Sequence, residues 1–124
     1  QNLEGLEDAK DAIMRVDATM VGYYDLFLNE PVTRDIWSAT QSDKALQELD
    51  IEDSRENGRI FSAALKHLVP KRNHARLETA SFLLMQLSGS AVRLAIAVGR
   101  KEGDRQIAEF RSIMRRELES LLDA

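Results

Sequence analysis

The sequence predicts an all-α fold, one bundle of helices around one core. Apolar residues recur at steps of three and four over residues 3–29, 77–98 and 107–121, the period of a helix with a buried face. No segment alternates apolar and polar residues as a half-buried strand would, and no internal repeat or low-complexity tract interrupts the chain. With 124 residues, 44% of them hydrophobic and 31% charged, the chain can fill one core and has no room for a second. Residues 1–124 are therefore expected to form a single domain of five to seven helices.

Each element follows from local signals. Residues 3–29 carry Leu6, Ala9, Ile13, Val16, Met20, Tyr24 and Phe27 on one stripe, a helix about 39 Å long at 1.5 Å per residue. A second stripe, Met14, Val21 and Leu28, predicts that this helix lies between neighbours. Pro31 fits the first turn of a short helix over residues 31–39, with Val32, Ile36 and Trp37 inward. Ser42-Asp43 offers a cap for a brief helix through Leu46 and Leu49, and Asp50 offers another before Ile51. The charged run over residues 52–59 belongs in solvent. Beyond it Ile60, Phe61, Ala64, Leu65 and Leu68 form an apolar face that stops at Val69-Pro70, because the residue before a proline is pushed out of the helical region. Asn73 then caps the next helix.

That next helix holds the most informative pattern. Leu77, Ser81, Leu84, Ser88, Ala91, Ala95 and Val98 make a heptad seam dominated by small residues, which lets helix axes approach closely. Most of the remaining surface of this helix is apolar too, so it must be covered on more than one side. After the breaker Gly99-Arg100-Lys101-Glu102-Gly103, Asp104 can cap a helix with the stripe Ile107, Phe110, Met114, Leu118 and Leu121. Two adjacent long helices this apolar predict a four-helix interface formed by two copies of the chain, a homodimer held by these twelve residues.

Composition closes several functional classes. A net charge of −4 disfavours a broad grip on a nucleic-acid backbone. The absence of Cys removes disulfides, thiolate metal sites and a cysteine nucleophile, and makes a cytoplasmic location the simpler expectation. No basic-then-apolar leader is visible at the start. Residues 79–99 are long enough to cross a bilayer, but Gln86, Arg93, Ser81, Ser88 and Ser90 interrupt them, so a core helix and no membrane contact is expected.

Searches for chemistry return little. His67 and His74 flank Pro70 without a Glu-x-x-His or His-Glu-x-x-His pattern, and Asp50, Glu52 and Asp53 lack the glycine of a calcium loop. Lys66, Lys71, Arg72 and Arg76 gather around Pro70 without interleaved aromatics, which fits helix-end charge. There is no Gly-rich phosphate loop, nucleophile elbow or dinucleotide fingerprint. No metal, cofactor or enzymatic reaction is expected.

What remains is aromatic and flexible: Met20, Tyr23, Tyr24, Phe27, Trp37, Phe61, Phe82 and Met85. Such residues either pack solidly or wall an apolar cavity. Gln86 and Arg93 share a strip with Phe82 and Gly89 and need partners if buried. A ligand carboxylate or carbonyl would serve, as would an internal ion pair from Arg93 to Asp17 or Asp25.

The order of features resembles the C-terminal regulatory domain of the TetR family of bacterial transcriptional regulators. The resemblance rests on the first helix ending in Tyr23-Tyr24-Asp25-Leu26-Phe27-Leu28, the short helix from Pro31 to Trp37, and the Asp43-Lys44-Ala45-Leu46 step. It rests further on the Leu68-Val69-Pro70 stop and the terminal pair of long helices. It implies a homodimer and a pocket for a small apolar or amphipathic effector, walled by Met20, Tyr24, Phe27, Trp37, Phe61, Phe82 and Met85, with Gln86 and Arg93 as polar anchors. Binding there would move the first helix and the spacing of two DNA-reading heads. The family's N-terminal helix-turn-helix is absent from these residues, so operator DNA would be contacted only through that missing domain of a longer repressor. The alternative is a purely structural dimerisation or adaptor module with a solid core.

Overall fold

The computed structural model describes residues 9–29 and 43–122. They form four α-helices, α1 Ala9–Asn29, α2 Lys44–Leu65, α3 His74–Ala97 and α4 Arg100–Leu122, with 3-10 turns at Lys66–Leu68 and Lys71–Asn73 between α2 and α3. No strand occurs among the described residues. The long helix α3 is the spine: α1, α2 and α4 all pack on it, and α1 also packs on α4. The expected helix over residues 31–39, with Trp37, lies outside the described residues, as does the side chain of Phe27.

In α1 the i, i+4 row Ala12, Val16, Met20 and Tyr24 is buried, as the stripe predicts. The second stripe is weaker than expected, since Met14 is exposed while Val21 and Leu28 are half-buried.

Asp43 caps α2, its carboxylate accepting from Leu46 N at 3.1 Å. The expected second start at Asp50 does not occur and α2 is continuous, while the charged side chains of residues 52–59 are exposed, as expected. Ser54, Gly58 and Ser62 turn inward at four-residue steps beside Phe61 and Leu65. On the outer side Arg55 pairs with Glu52 and Arg59 with Glu56, each one turn apart, which supports the helix. Small residues carry little hydrophobic signal, so this buried stripe is hidden among the charges.

The small-residue seam serves this stripe. A Cβ on Gly58 would lie 2.7 Å from Phe82 Cα and 2.8 Å from Phe82 N, so α2 and α3 meet almost backbone to backbone. Ser81 sits at the same crossing, buried, and its hydroxyl has no hydrogen-bond partner among the described residues; its contribution is its small size. Leu77, Ser81, Leu84, Ser88 and Ala95 are all buried within one chain, Ala91 is half-buried, and of the seven only Val98 is exposed. Ile107, Phe110, Met114, Leu118 and Leu121 are likewise buried. The expectation that these residues face a second copy is corrected: apart from Val98 and part of Ala91, they hold one copy together.

The exposed apolar row of α3 lies one residue back, at Leu83 (54% exposed), Leu87 (40%) and Leu94 (49%), with Ser90 and Ala97 in the same heptad register. A one-residue offset rotates the row by about 100°. On α4, Arg76 of α3 bonds Glu117 and Ser120, while at the other end Gly103 abuts the Ala95 carbonyl. This antiparallel register sets the exposed Ile113 level with Leu83.

The α3–α4 reversal is shorter than the five-residue breaker. Gly99 alone takes positive φ, +91°, a conformation that costs a side chain dearly, and α4 begins at Arg100. Gly103 is already helical; a side chain there would overlap the Ala95 carbonyl. Asp104 is therefore not the cap. Asn73, at the start of α3, also makes no capping bond; its Nδ2 donates to the Leu121 carbonyl at 3.0 Å and ties the two ends of the hairpin. The segment Lys71–Ala97 has the length and hydropathy to cross a membrane, and here it forms the central helix against which the other three pack.

Candidate functional site

A cavity of about 380 Å³ lies between α1, α2 and α3, with Met114 of α4 reaching it. That volume falls in the range of small-molecule sites. From α1 come Val16, Thr19, Met20 and Tyr23; from α2 Asp50, Asp53, Ser54, Asn57, Ile60 and Phe61; from α3 Met85 and Ser88. The α2 residues fall at steps of three, four and seven, one continuous helical face. That face exists only because α2 is unbroken.

The apolar lining comprises Val16, Met20, Ile60, Phe61, Met85 and Met114, and the flexible methionines can reshape around different occupants. The polar lining is largely committed elsewhere. Thr19 Oγ1 donates to the Arg15 carbonyl at 2.8 Å and Ser88 Oγ to the Leu84 carbonyl at 2.7 Å. Gln86 Nε2 donates to Asp50 Oδ2 at 3.4 Å, while its Oε1 is buried without a hydrogen-bond partner among the described residues. Burial pushes the Tyr23 hydroxyl pKa up, the Asp50 carboxylate adds to the rise, and Arg93 opposes it.

The structure brings Met20, Phe61 and Met85 together at this cavity. It sends others elsewhere. Tyr24 points away into the core, donating its hydroxyl to Asp104 Oδ1 at 2.8 Å, and burial followed by that bond pushes its pKa up to about 12. Its neighbour Tyr23, about 100° around the helix, takes the cavity position. Phe82 does not line the cavity either: the Arg55 guanidinium sits 4.5 Å above its ring and its backbone abuts Gly58. Gln86 is one contact removed, through Asp50. Arg93 is not in the lining; its NH2 donates to Ser90 Oγ at 3.0 Å. Trp37 and the side chain of Phe27 lie outside the described residues.

The ion pair foreseen from Arg93 to Asp17 is not formed. Asp17 instead accepts two bonds from Arg111, at 2.7 and 2.6 Å, which hold its carboxyl below the usual range. With Tyr24–Asp104, this pair fastens α1 to α4, so the cavity's α1 wall is mechanically joined to the terminal hairpin. Among the described residues no three His, Asp or Glu side chains converge as a metal site. His74 donates Nε2–H to the Val69 carbonyl at 2.9 Å.

Thr19, Asp50, Asp53, Ser54, Asn57 and Ser88 escaped sequence reasoning as lining because they are polar. The signal that could have found them was the four-residue spacing of Ser54, Gly58 and Ser62, which marks which side of α2 faces inward.

The described residues form an all-helical bundle with a cavity beside α1 and a long terminal hairpin. The Tetracyclin repressor-like, C-terminal domain family matches residues 10–122, and the chain belongs to that family. No curated protein and no solved structure matches the chain.

Proposed function

We propose that this domain senses a small apolar or amphipathic molecule and dimerises, within a TetR-like repressor of the bacterial cytoplasm. The cavity between α1, α2 and α3 carries the reading, since its volume of about 380 Å³ and its wall with Met20, Met85, Met114 and Phe61 suit a small apolar molecule. Val16, Thr19, Met20 and Tyr23 form the cavity's α1 wall. A molecule entering there bears directly on α1, and any change in α1 reaches the hairpin through Asp17–Arg111 and Tyr24–Asp104. The linkage is reciprocal: whatever shifts α1 shifts effector affinity by the same factor. Operator DNA is contacted only through a helix-turn-helix domain outside these residues.

The dimer surface in this reading is the row Leu83, Leu87, Ser90, Leu94 and Ala97, with Val98 and Ile113. Three leucines at 40–54% exposure along one helix are an unusual solvent face. Pairing α3 and α4 with a second copy forms a four-helix interface of the kind that TetR-like domains typically use.

The cavity is tested with the neutral dye N-phenyl-1-naphthylamine, whose fluorescence rises in apolar surroundings. Saturable binding of one dye per chain is expected, and Ser88→Trp, which projects a ring into the cavity, should abolish it. A signal that does not saturate, or that survives Ser88→Trp, overturns the sensing reading.

A further inference from the structure

The polar part of the cavity wall includes two carboxylates and, among the described residues, no cationic side chain, and from this we infer that the effector is an organic cation, a protonated amine carrying an apolar body. The inference rests on the proposed effector site. Asp50 and Asp53 stand one turn apart on α2 and both line the cavity, while no Lys, Arg or His does so among the described residues. The protons of Thr19 and Ser88 are already given to backbone carbonyls, so these hydroxyls offer the cavity only lone pairs. Gln86, behind Asp50, spends an amide proton on that carboxylate and keeps a buried Oε1 with no donor.

The two carboxylates favour a positive charge on the ligand. A carboxylate ligand would place a further negative charge against Asp50 and Asp53 and would find only the neutral donors of Tyr23, Ser54 and Asn57. An ammonium supplies both what the wall lacks, a positive charge, and what it can absorb, N–H donors. Met20, Phe61, Met85 and Met114 then receive the apolar body. The sequence-based alternative, a ligand acid held by Arg93, is disfavoured because Arg93, although its charge is felt at Tyr23, is not among the lining residues while Asp50 and Asp53 are.

Decylammonium, decanol and decanoate share one tail and differ in the head group. Each is titrated calorimetrically into the full chain below its micelle-forming concentration. Decylammonium should bind about tenfold tighter than decanol, as the ammonium adds a full opposite charge to the hydrogen bond a hydroxyl can give the carboxylates, and decanoate should bind weakest. Replacing both carboxylates, Asp50→Asn with Asp53→Asn, should erase the amine's advantage over the alcohol. If decanol or decanoate binds as tightly as the amine, or the amine's advantage survives the double substitution, the charge class is overturned and the effector site stands. If none of the three binds, the effector site itself falls.

Discussion

Gly58→Ala should destabilise the protein even though alanine is the better helix former. The added Cβ would meet Phe82 Cα at 2.7 Å and Phe82 N at 2.8 Å. Both atoms are backbone of the facing helix, so no rotamer change relieves the overlap. Restoring an ordinary carbon–carbon separation requires α2 and α3 to part by about 1 Å. That opening runs along Ser54, Gly58 and Ser62 and loosens the contacts of Phe61 and Leu65 beside them. Overpacking of this kind costs about 1–3 kcal/mol, and a backbone clash belongs near the top of that range. Exchanging glycine for alanine in a helix returns about 1 kcal/mol, leaving a net loss of about 2 kcal/mol. Gly22→Ala is the matched control, because a Cβ at Gly22 in α1 meets nothing within 4 Å; it should stabilise by about 0.5–1 kcal/mol. Urea unfolding followed by far-UV circular dichroism, at fixed protein concentration because any dimer stabilises by mass action, measures both. With a slope of roughly 1–3 kcal/mol per M, Gly58→Ala should lower the midpoint by about 1 M and Gly22→Ala should raise it slightly. Equal gains for the two variants would show that α2 and α3 are not in backbone contact, and the account of the small-residue seam would fail.

Leu87→Glu should convert the proposed dimer to a folded monomer in multi-angle light scattering, since an unpaired charge buried at an interface costs about 3–5 kcal/mol. Leu84→Glu, only three residues away but 5% exposed, should instead unfold the chain; a Leu87→Glu protein that remains dimeric refutes the proposed surface. Both tyrosines, Tyr23 and Tyr24, should ionise late in an alkaline titration, Tyr24 only near its value of about 12. Because the folded pKa values lie above the unfolded value of about 10, the unfolded state loses these protons first, so this contribution to stability is intact below that pH and declines above it. Tyr24→Phe should flatten that decline, and an unchanged profile would show that the Tyr24 hydroxyl is not held as described.

The site was less legible than the fold, and Tyr23 and Tyr24 show why. A stripe counted from Met20 admits either residue at i+3 or i+4, and only the position of α4, offering Asp104 to Tyr24 at 2.8 Å, separates core from cavity. Similarly, Arg93 could pair with Asp17 as far as charge alone dictates, but Arg111 reaches Asp17 from α4 first. Asp50 and Asp53 read as a solvated helix start because carboxylates are rarely assigned to a cavity wall from sequence.

Periodicity, capping and breakers are local, and they were enough to establish the all-α class, the Asp43 cap, the Val69-Pro70 stop, the Gly99 reversal and the two long terminal helices. Even the heptad spacing of α3 was legible. Which heptad row turns inward was not, because both rows share the same spacing and both mix leucines with small residues, Leu84 and Ser88 on one and Leu83, Leu87 and Ser90 on the next. That choice depends on Gly58 of α2 docking against Ser81 and Phe82, a contact between residues more than twenty positions apart. The same docking leaves space between α2 and α1. Helical period follows from the chain's own geometry, whereas the facing direction and the cavity follow from steric fit between separate helices, and only the tertiary structure settles that.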